Sequence, residues 1–265
     1  MKTLVITGGT DGMGRALARD YLRRGDTVVI VGRDERKAST VPGATFIPAD
    51  LSLISENRRV IERITNDFPD VDALVLCARY FRATRRETAE GIEGVFALEY
   101  LSRYLLSHGL TEGSRSGPRV IANVSGPGFP AGRIHWDDLM LRNTYSGVEA
   151  QFQAGRANDL LGVAYAARHT HISDRVRTRY VLINPGGVST GFCGEFDAET
   201  AAHVESLKRY GKPVEEGIRP LAARVDAPPA APLSAYAQHR PLSLDHPDFD
   251  PEAAGRLEEL TRKLE

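Results

Sequence analysis

The chain has 265 residues, of which 42% are hydrophobic and 26% charged, with a net charge of -1 at pH 7. This length suits one α/β domain over residues 1–265. The balanced charge gives no long-range attraction to nucleic acid or to an anionic membrane, so neither is an expected partner. MKTLVITGG is too short before its glycines to be a secretory or membrane segment, so we expect a cytoplasmic protein.

Cysteine and histidine positions argue against a metal site. The two cysteines, Cys77 and Cys193, stand far apart without a CxxC or Cys/His pattern. His169 and His171 are two residues apart, which places them on different faces of a helix. No metal is therefore predicted, and two unpaired cysteines are typical of a reducing compartment.

Short runs rich in Val, Ile and Leu alternate with helical segments over most of the chain. The runs are TLVIT (3–7), TVVIV (27–31), ATFIP (44–48), ALVLC (73–77), RVIANV (119–124) and RYVLI (179–183). The alternation predicts a Rossmann-like, doubly wound parallel sheet with helices on both faces.

The pattern becomes irregular and proline-rich from Gly191. We expect residues 191–240 to form a C-terminal lid insertion that covers a ligand, the alternative being a solvated peripheral subdomain. Asp250 followed by Pro251 predicts the start of a closing surface helix, because the carboxylate caps the first turn and proline suits the first helical position.

A glycine-rich segment, TGGTDGMG, follows the first predicted strand and leads directly into a helix. A turn of this kind lets the backbone approach a pyrophosphate, whose charge the free N–H groups and the dipole of the helix stabilise. The strand before it and the helix after it make the motif specific. It predicts a dinucleotide site formed by Thr7, Gly8, Gly9, Thr10, Asp11, Gly12, Met13 and Gly14.

The end of the second predicted strand, VGRDERK, indicates which dinucleotide binds. Folds that select NAD place an Asp or Glu there for the ribose hydroxyls. This chain has Arg33, whose guanidinium suits a 2′-phosphate, although Asp34 beside it opposes that preference. The predicted cofactor is NADP(H).

These motifs resemble the short-chain dehydrogenase/reductase family, whose TGxxxGxG pattern is met by Thr7, Gly8, Gly12 and Gly14. Within it the chain most resembles the retinol-dehydrogenase branch. The segments that carry this likeness are EGIEGVFALEYLSRYLL (90–106), KPVEEG (212–217) and RLEEL (256–260). The resemblance implies further cofactor contacts at Asp50, Leu51, Cys77, Ala78, Arg79, Pro185, Gly186, Val188 and Thr190.

The catalytic pattern of the family is altered in this chain. Its NNAG turn is replaced by LCAR (76–79), and its helix asparagine by Glu99. The YxxxK pair is placed on Phe152 and Arg156, because Leu160 and Leu161 then match the apolar positions that follow the lysine. The alternative, shifted by one residue, is Gln151 and Gly155 (151–155). Neither placement provides a phenol.

Three residues are candidates for the catalytic work. Ser125 matches the family serine, though in another alignment Gly126 takes its place, and it is expected to donate a hydrogen bond to the substrate. Tyr145 lies in the loop before the catalytic helix and is a candidate replacement acid. Arg156 suits binding of ribose hydroxyls near a developing alkoxide, but a guanidinium is too weak an acid to donate a proton.

Loss of the tyrosine does not by itself exclude hydride transfer. General acid catalysis typically contributes about 10²–10⁴-fold, whereas positioning supplies about 7–11 kcal/mol. We therefore expect an atypical NADPH-dependent ketoreductase that acts on a bulky, polyketide-like secondary-metabolite carbonyl, since the chain resembles tyrosine-less ketoreductases of antibiotic biosynthesis. The alternatives are a fold member that retains NADP(H) for a non-redox cyclisation or isomerisation, and a non-catalytic NADP(H) sensor.

The family commonly pairs through the helices containing 96–108 and 152–168, which implies a homodimer or homotetramer.

Overall fold

A computed structural model describes residues 1–170 and 178–265. His171 falls outside these ranges, so the pair that it forms with His169 in the sequence has no structural counterpart to compare. None of the helices within the described ranges is long and apolar enough to cross a membrane.

The strands form one large sheet and one small one. They are β1 (Thr3–Thr7), β2 (Thr27–Gly32), β3 (Thr45–Pro48), β4 (Ala73–Leu76), β5 (Phe81–Arg82), β6 (Val120–Val124), β7 (Arg179–Asn184), β8 (Gly194–Glu195), β9 (Leu233–Ala237) and β10 (Arg240–Leu242). The main sheet has the order β10-β9-β7-β6-β4-β1-β2-β3, while β5 pairs with β8 alone.

All neighbours in the main sheet are parallel except β9 and β10, which are joined as an antiparallel pair. The strand order reverses between β1 and β4, where the connections leave in opposite directions. In open α/β sheets the ligand cleft lies outside the carboxyl ends of the strands at this switch point. The prediction of a doubly wound, Rossmann-like sheet is confirmed.

Helices cover both faces of the sheet. They are α1 (Gly12–Arg23), α2 (Glu35–Ala38), α3 (Ile54–Asp67), α4 (Gly94–Phe96), α5 (Ser102–Gly113), α6 (Gly147–Thr170), α7 (Ala198–Tyr210), α8 (Val214–Gly217), α9 (Arg219–Asp226) and α10 (Pro251–Arg262). A π-helical turn, Ala97–Leu101, joins α4 to α5, and a 3₁₀ turn, Pro247–Phe249, precedes α10. The Asp250 carboxylate accepts from the first backbone N–H groups of α10, as the sequence predicts.

Alternating side chains along the strands build a separate core on each face. Leu4 and Ile6 of β1 pack with Leu17 and Tyr21 of α1, whereas Val5 points to the opposite face. The helical members of that second core include Val60, Leu106, Leu160 and Leu257. Because both faces are covered, the strands read as continuous apolar runs rather than as alternating ones.

The predicted lid, residues 191–240, is only partly separate from the sheet. Its first part contains β8 and the helices α7, α8 and α9, but its last part includes β9, which pairs with β7 inside the main sheet. In this structure residues 233–237 therefore belong to the sheet and not to a covering segment. The physical reason is that LSAYA is short and carries small residues, which resemble a loop in sequence, yet the uncovered edge of β7 provides it with a full hydrogen-bonding partner.

Candidate functional site

The glycine-rich segment packs so tightly that side chains are excluded from it. Gly8 has a φ of +66°, and a Cβ atom on it would lie 2.9 Å from the backbone of Ala78. A Cβ atom on Gly14 would lie 2.4 Å from the Gly8 carbonyl oxygen. These contacts bring the start of α1 against the ends of β1 and β4, which is the geometry that a pyrophosphate-binding turn requires.

The end of β4 is held against this turn by Thr7. Its buried hydroxyl oxygen accepts from the backbone N–H groups of Cys77, at 3.2 Å, and Ala78, at 3.3 Å. Burial raises the pKa of the Cys77 thiol to about 12, which leaves it protonated and unreactive at neutral pH. The predicted contact residues 77–79 therefore border the glycine turn, although Cys77 has no chemical role there.

A carboxylate caps the N-terminus of α1. Asp11 accepts from the N–H of Gly12 at 2.7 Å and pairs with the Lys37 ammonium at 2.5 Å. The Cys193 thiol lies 3.4 Å from the same carboxylate. Burial acts to raise the pKa of Asp11, but the hydrogen bonds from Lys37 and Gly12 outweigh it and lower the pKa. The negative charge beside the turn is thus balanced by Lys37.

Arg33 and Asp50, predicted from separate segments, meet at the carboxyl ends of β2 and β3. Their side chains approach to 3.6 Å, and the Arg33 guanidinium lies 5.4 Å from the centre of the Tyr80 ring. Burial would raise the pKa of Asp50, while hydrogen bonds from Ser52 and the Arg33 charge lower it. About half of the Arg33 side chain is exposed, so it is accessible to a phosphate.

Other predicted contact residues contribute in different ways. The Thr10 side chain packs against Gly32, and Thr190 lies 3.4 Å from the position of a Cβ atom on Gly12, so the loop after β7 reaches the helix start. Gly9 is fixed by close packing on Ile30. The side chains of Met13 and Leu51 pack in the two cores, which leaves their backbone for any cofactor contact.

The loop after β7 is fixed by its own backbone. Gly186, which follows Pro185, has a φ of +80° and donates its N–H to the Asn184 side-chain oxygen at 2.8 Å. Val188 is buried and packs closely against Gly217. A Cβ atom on Gly217 would lie only 2.6 Å from the Val188 methyl groups. This anchoring directs Thr190 toward α1.

Glu99, Gln151 and Arg79 form a polar cluster beside the end of β4. The Gln151 amide donates to Glu99 Oε1 at 2.7 Å, and Arg79 Nε donates to Gln151 Oε1 at 2.8 Å. Arg79 Nε also lies 3.5 Å from Glu99 Oε2. Glu99 is almost completely buried within the π-helical turn, whereas Arg79 is largely exposed. The carboxylate that replaces the family asparagine is therefore held by an amide and a guanidinium.

The face of α6 that is turned toward Glu99 carries Gln151 and Asn158. Asn158 donates to the Glu99 carbonyl oxygen at 2.7 Å, seven residues after Gln151. Gly155 lies between them on the same face, since residues three and four apart are helix neighbours. A Cβ atom on Gly155 would meet nothing within 4 Å among the described residues. This face contains positions 151 and 155, the spacing of the family's tyrosine and lysine.

The structure thus brings the alternative pair, Gln151 and Gly155, to the face of α6 that contacts Glu99, and the preferred pair, Phe152 and Arg156, to another face. The Phe152 ring packs against Phe129 at a tilt, 5.0 Å between centroids. Arg156 is buried, donates to the carbonyl oxygens of Phe129 and Gly132 at 3.1 Å, and pairs with Asp159 and Asp248 (159, 248). A guanidinium committed in this way is not free to bind ribose hydroxyls.

The other two catalytic candidates also have distinct surroundings. The Tyr145 hydroxyl donates to the Arg82 carbonyl oxygen at 2.9 Å, and burial raises its pKa. Its ring packs with Val95 and Ala150, so its contacts are those of a packing residue, and its role as the acid stays a prediction. Ser125 follows β6, and its buried hydroxyl has no hydrogen-bond partner within residues 1–170 and 178–265. It remains available as a donor.

A buried polar network that the sequence motifs do not predict lies beneath this cluster. Arg103 donates to the Asn123 side-chain oxygen, to the Val124 carbonyl oxygen at 2.9 Å and to the Ala78 carbonyl oxygen at 3.1 Å. Asn123 in turn donates to Asn158 at 2.8 Å. Burial lowers the pKa of Arg103, and the Glu99 charge one turn earlier opposes that change. The available signal was Asn123 itself, a polar residue inside the apolar strand RVIANV.

The fold and the glycine turn together define a dinucleotide-binding α/β protein. Comparison with known families agrees, since a model described as "short chain dehydrogenase" matches residues 2–133. The "Putative daunorubicin C-13 ketoreductase DnrU" of Streptomyces sp. (strain C5) is 30% identical over 199 residues, which is 71% of this chain and 67% of that protein. The chain belongs to the short-chain dehydrogenase family.

Two further relatives place it beside oxidoreductases. The "Uncharacterized oxidoreductase YKL107W" of Saccharomyces cerevisiae is 30% identical over 194 residues, 71% of this chain and 61% of that protein. Mouse retinol dehydrogenase 13 is 30% identical over 149 residues, 52% of this chain and 45% of that protein. The chain thus spans less than two thirds of the length of both. Similarity to retinol dehydrogenases is confirmed, and these relatives support assignment to the NAD(P)-dependent oxidoreductases.

Solved structures show the same fold. A protein from Mycobacterium paratuberculosis superimposes with a TM-score of 0.76 at 24% identity, and the match covers 100% of this chain and 93% of that one. A short-chain dehydrogenase from Shigella flexneri, complexed with NADP, superimposes with a TM-score of 0.65 at 19% identity over 89% of this chain and 96% of that one. At these identities the likeness supports the fold alone.

Proposed function

We propose that this protein is an NADPH-dependent reductase of a bulky, polyketide-like ketone or quinone, and that it works without the family's phenolic acid. The observation that carries the proposal is a retained cofactor turn beside an altered proton-transfer site. Gly8 and Gly14 keep the backbone approach that a pyrophosphate needs, whereas positions 151 and 155 are glutamine and glycine. When bound, NADPH supplies the hydride.

The residues at the cofactor's adenosine end fit this assignment. Arg33 is half exposed at the end of β2. Lys37, four residues further on in α2, is paired with Asp11 beside the glycine turn. An exposed guanidinium at this place suits the charge of a 2′-phosphate better than that of two hydroxyl groups.

The residues at the reacting end can bind an oxygen atom but cannot readily protonate it. Gln151 and Arg79 carry N–H donors, and the Ser125 hydroxyl is uncommitted within the described parts of the chain. Hydrogen bonds aimed at a developing oxyanion stabilise it without proton transfer. Such a site favours carbonyls whose reduced form is already stabilised by conjugation or by a neighbouring phenol, as in quinones and aromatic polyketides.

The space around Gly155 supports a bulky substrate. With no side chain at this position, the helix surface next to Gln151 stays open, whereas a lysine would fill it. The name of the DnrU relative, which describes a daunorubicin C-13 ketoreductase, is consistent with a bulky secondary-metabolite ketone. The residues and the relative thus point to the same substrate class.

The proposal is tested by mixing the purified protein with NADPH and a panel of quinones, conjugated ketones and simple ketones, and recording the reduced-nicotinamide absorbance. We expect consumption of NADPH with the first two classes and little with the third. Turnover of a compound without loss of absorbance would favour a non-redox step instead. Binding without any turnover would favour a sensor, and calorimetry that detects no affinity for NADP⁺ or NADPH would contradict the proposal entirely.

A further inference from the structure

Three potential ligand groups meet far from the cofactor turn, between α5 and the last turn of α6. His108 and Glu112 are four residues apart on α5, and His169 comes from α6. Their ligand atoms all lie within 4.8 Å of one another. Two residues at this spacing share one face of a helix, an arrangement that brings side chains onto a single ion.

From this geometry we propose that His108, Glu112 and His169 bind a divalent transition metal ion, Zn²⁺ in the first instance. The His108 Nδ1 and His169 Nε2 atoms are 3.0 Å apart. In a tetrahedral zinc site, with bonds of about 2.0–2.2 Å, neighbouring ligand atoms are about 3.3 Å apart. The two rings therefore need to separate by only a few tenths of an ångström.

The two facing nitrogens already share one proton. His108 Nδ1 and His169 Nε2 are hydrogen-bonded, so one of the two rings carries its N–H on the atom that faces the other ring. When an ion binds both atoms, that proton moves to the second nitrogen of the same ring, and both imidazoles bind the ion as neutral ligands.

The two rings are also held in place before any ion binds. His108 packs against Tyr104, with ring centres 4.6 Å apart, and Tyr165 lies 4.3 Å from His169. The Tyr165 hydroxyl is fixed by a 2.6 Å hydrogen bond with Thr111. Such packing restricts the ring orientations, so little conformational entropy is lost when the ion binds.

Glu112 is the third proposed ligand, and its half-exposed side chain lies where an ion can enter from solvent. Its side chain is half exposed and pairs with Arg168 at 2.7 Å. Arg168 also contacts Glu258 of α10 at 3.3 Å, so it keeps a carboxylate partner when Glu112 turns toward the ion. The exposed side of Glu112 leaves the fourth position to water. Two imidazoles and a carboxylate form the donor set that zinc commonly accepts.

The proposed metal site lies between two helices that also contribute to the candidate active site. α5 continues from the π-helical turn that holds Glu99, and α6 carries Gln151. An ion bound between His108 and His169 would join the two helices that supply the polar cluster of the candidate active site. His169 lies in the last turn of α6, where the helix dipole also favours a cation.

The test uses the full-length protein, freed of metal by chelator and dialysis, and titrated with Zn²⁺ in competition with a chromophoric chelator. We expect one Zn²⁺ per chain. His108→Phe and His169→Phe each keep an aromatic ring in the cluster but remove one ligand. Loss of a partner outside the ligand set typically weakens metal binding roughly 10–100-fold, so loss of a ligand should weaken Zn²⁺ binding by at least that factor. His203→Phe, a change on the exposed surface of α7, is the control that should bind as the original protein does.

Two further measurements decide the outcome if a buried substitution prevents folding. Glu112→Gln changes a half-exposed side chain and should also weaken Zn²⁺ binding. Co²⁺ added in place of Zn²⁺ should give the visible absorption of a four-coordinate ion in the original protein. Absence of stoichiometric Zn²⁺ binding and of this absorption would overturn the proposal, as would unchanged affinity in the folded ligand variants. A thermal unfolding midpoint that rises with Zn²⁺ in the original protein but not in His169→Phe would support it.

Discussion

Gln151 donates a 2.7 Å hydrogen bond to the buried carboxylate of Glu99. In the motif placement that we propose, these two residues take the positions of the family's tyrosine and asparagine. Gln151 has no ionisable proton and Gly155 no charge, so under this placement both members of the usual acid pair are missing. What remains are donors that can hold an oxygen atom in place.

We expect the combined change Gln151→Tyr and Gly155→Lys to accelerate reduction of simple ketones by about 10²-fold or more. The new phenol would supply the missing proton, and the introduced lysine would oppose the Glu99 charge that disfavours its ionisation. The measurement is kcat/KM from NADPH oxidation. Phe152→Tyr is the matched control, since residue 152 faces Phe129, and it should give no gain. A gain in the control alone would restore the original placement of the motif.

Removing the Arg33 guanidinium should change the choice between the two nicotinamide cofactors. Charge-assisted hydrogen bonds contribute about 1.5–3 kcal/mol, so Arg33→Ala should weaken NADPH binding by roughly 10–100-fold and NADH binding much less. Calorimetric titration with both cofactors measures this. Arg36→Ala removes an equally exposed charge three residues away and serves as the control. An equal loss for NADPH and NADH would show that Arg33 does not contact a 2′-phosphate.

Two glycines should respond in opposite ways to alanine. Gly155 lies in the interior of α6 with space for a side chain, so Gly155→Ala should increase the free energy of unfolding by about 0.5–1 kcal/mol. A Cβ atom on Gly14 would clash with the Gly8 carbonyl oxygen, so Gly14→Ala should decrease it by about 1–3 kcal/mol. Urea unfolding followed by circular dichroism measures both free energies of unfolding. A lower free energy of unfolding for Gly155→Ala would contradict the premise that a side chain at residue 155 meets no other atoms.

The buried carboxyl of Asp159 should make stability depend on pH. Burial raises its pKa to about 8, and the Asp248 charge adds to this, although Gly128 and Arg156 act in the opposite direction. The folded protein therefore holds a proton that the unfolded chain releases near pH 3.8. The stability contributed by that proton is present at low pH and is lost as the pH rises through about 8.

Comparison with Asp159→Asn isolates this effect. The free energy of unfolding of the original protein, minus that of the variant, should fall between pH 5 and pH 8 and then level off. Asp197→Asn is the contrast: hydrogen bonds from Thr200 lower the pKa of this exposed capping residue, so its contribution disappears only at more acidic pH. A flat difference for Asp159→Asn from pH 5 to pH 9 would show that the carboxyl is ionised throughout.

Most of the sheet could be predicted because its strands are covered on both faces and therefore form uninterrupted apolar runs. β9 could not, since LSAYA is recognisable as a strand only once the free edge of β7 is known. The choice between the two motif placements also needed the structure, for a related reason. The placement on Phe152 and Arg156 was preferred because Leu160 and Leu161 then match apolar positions of the family. Apolar residues lie on both faces of this buried helix, so the periodicity does not show which face carries the motif.

The sequence by itself determined the fold class, the cofactor turn and the absence of a phenol at either possible placement, because these depend on residue types within short segments. The tertiary structure decided which side of α6 meets Glu99, that Arg156 is engaged by the acidic side chains of Asp159 and Asp248, and that His108 approaches His169 from 61 residues away. Those relationships depend on the rotation of one helix and on contacts between distant segments, and chain order does not contain either.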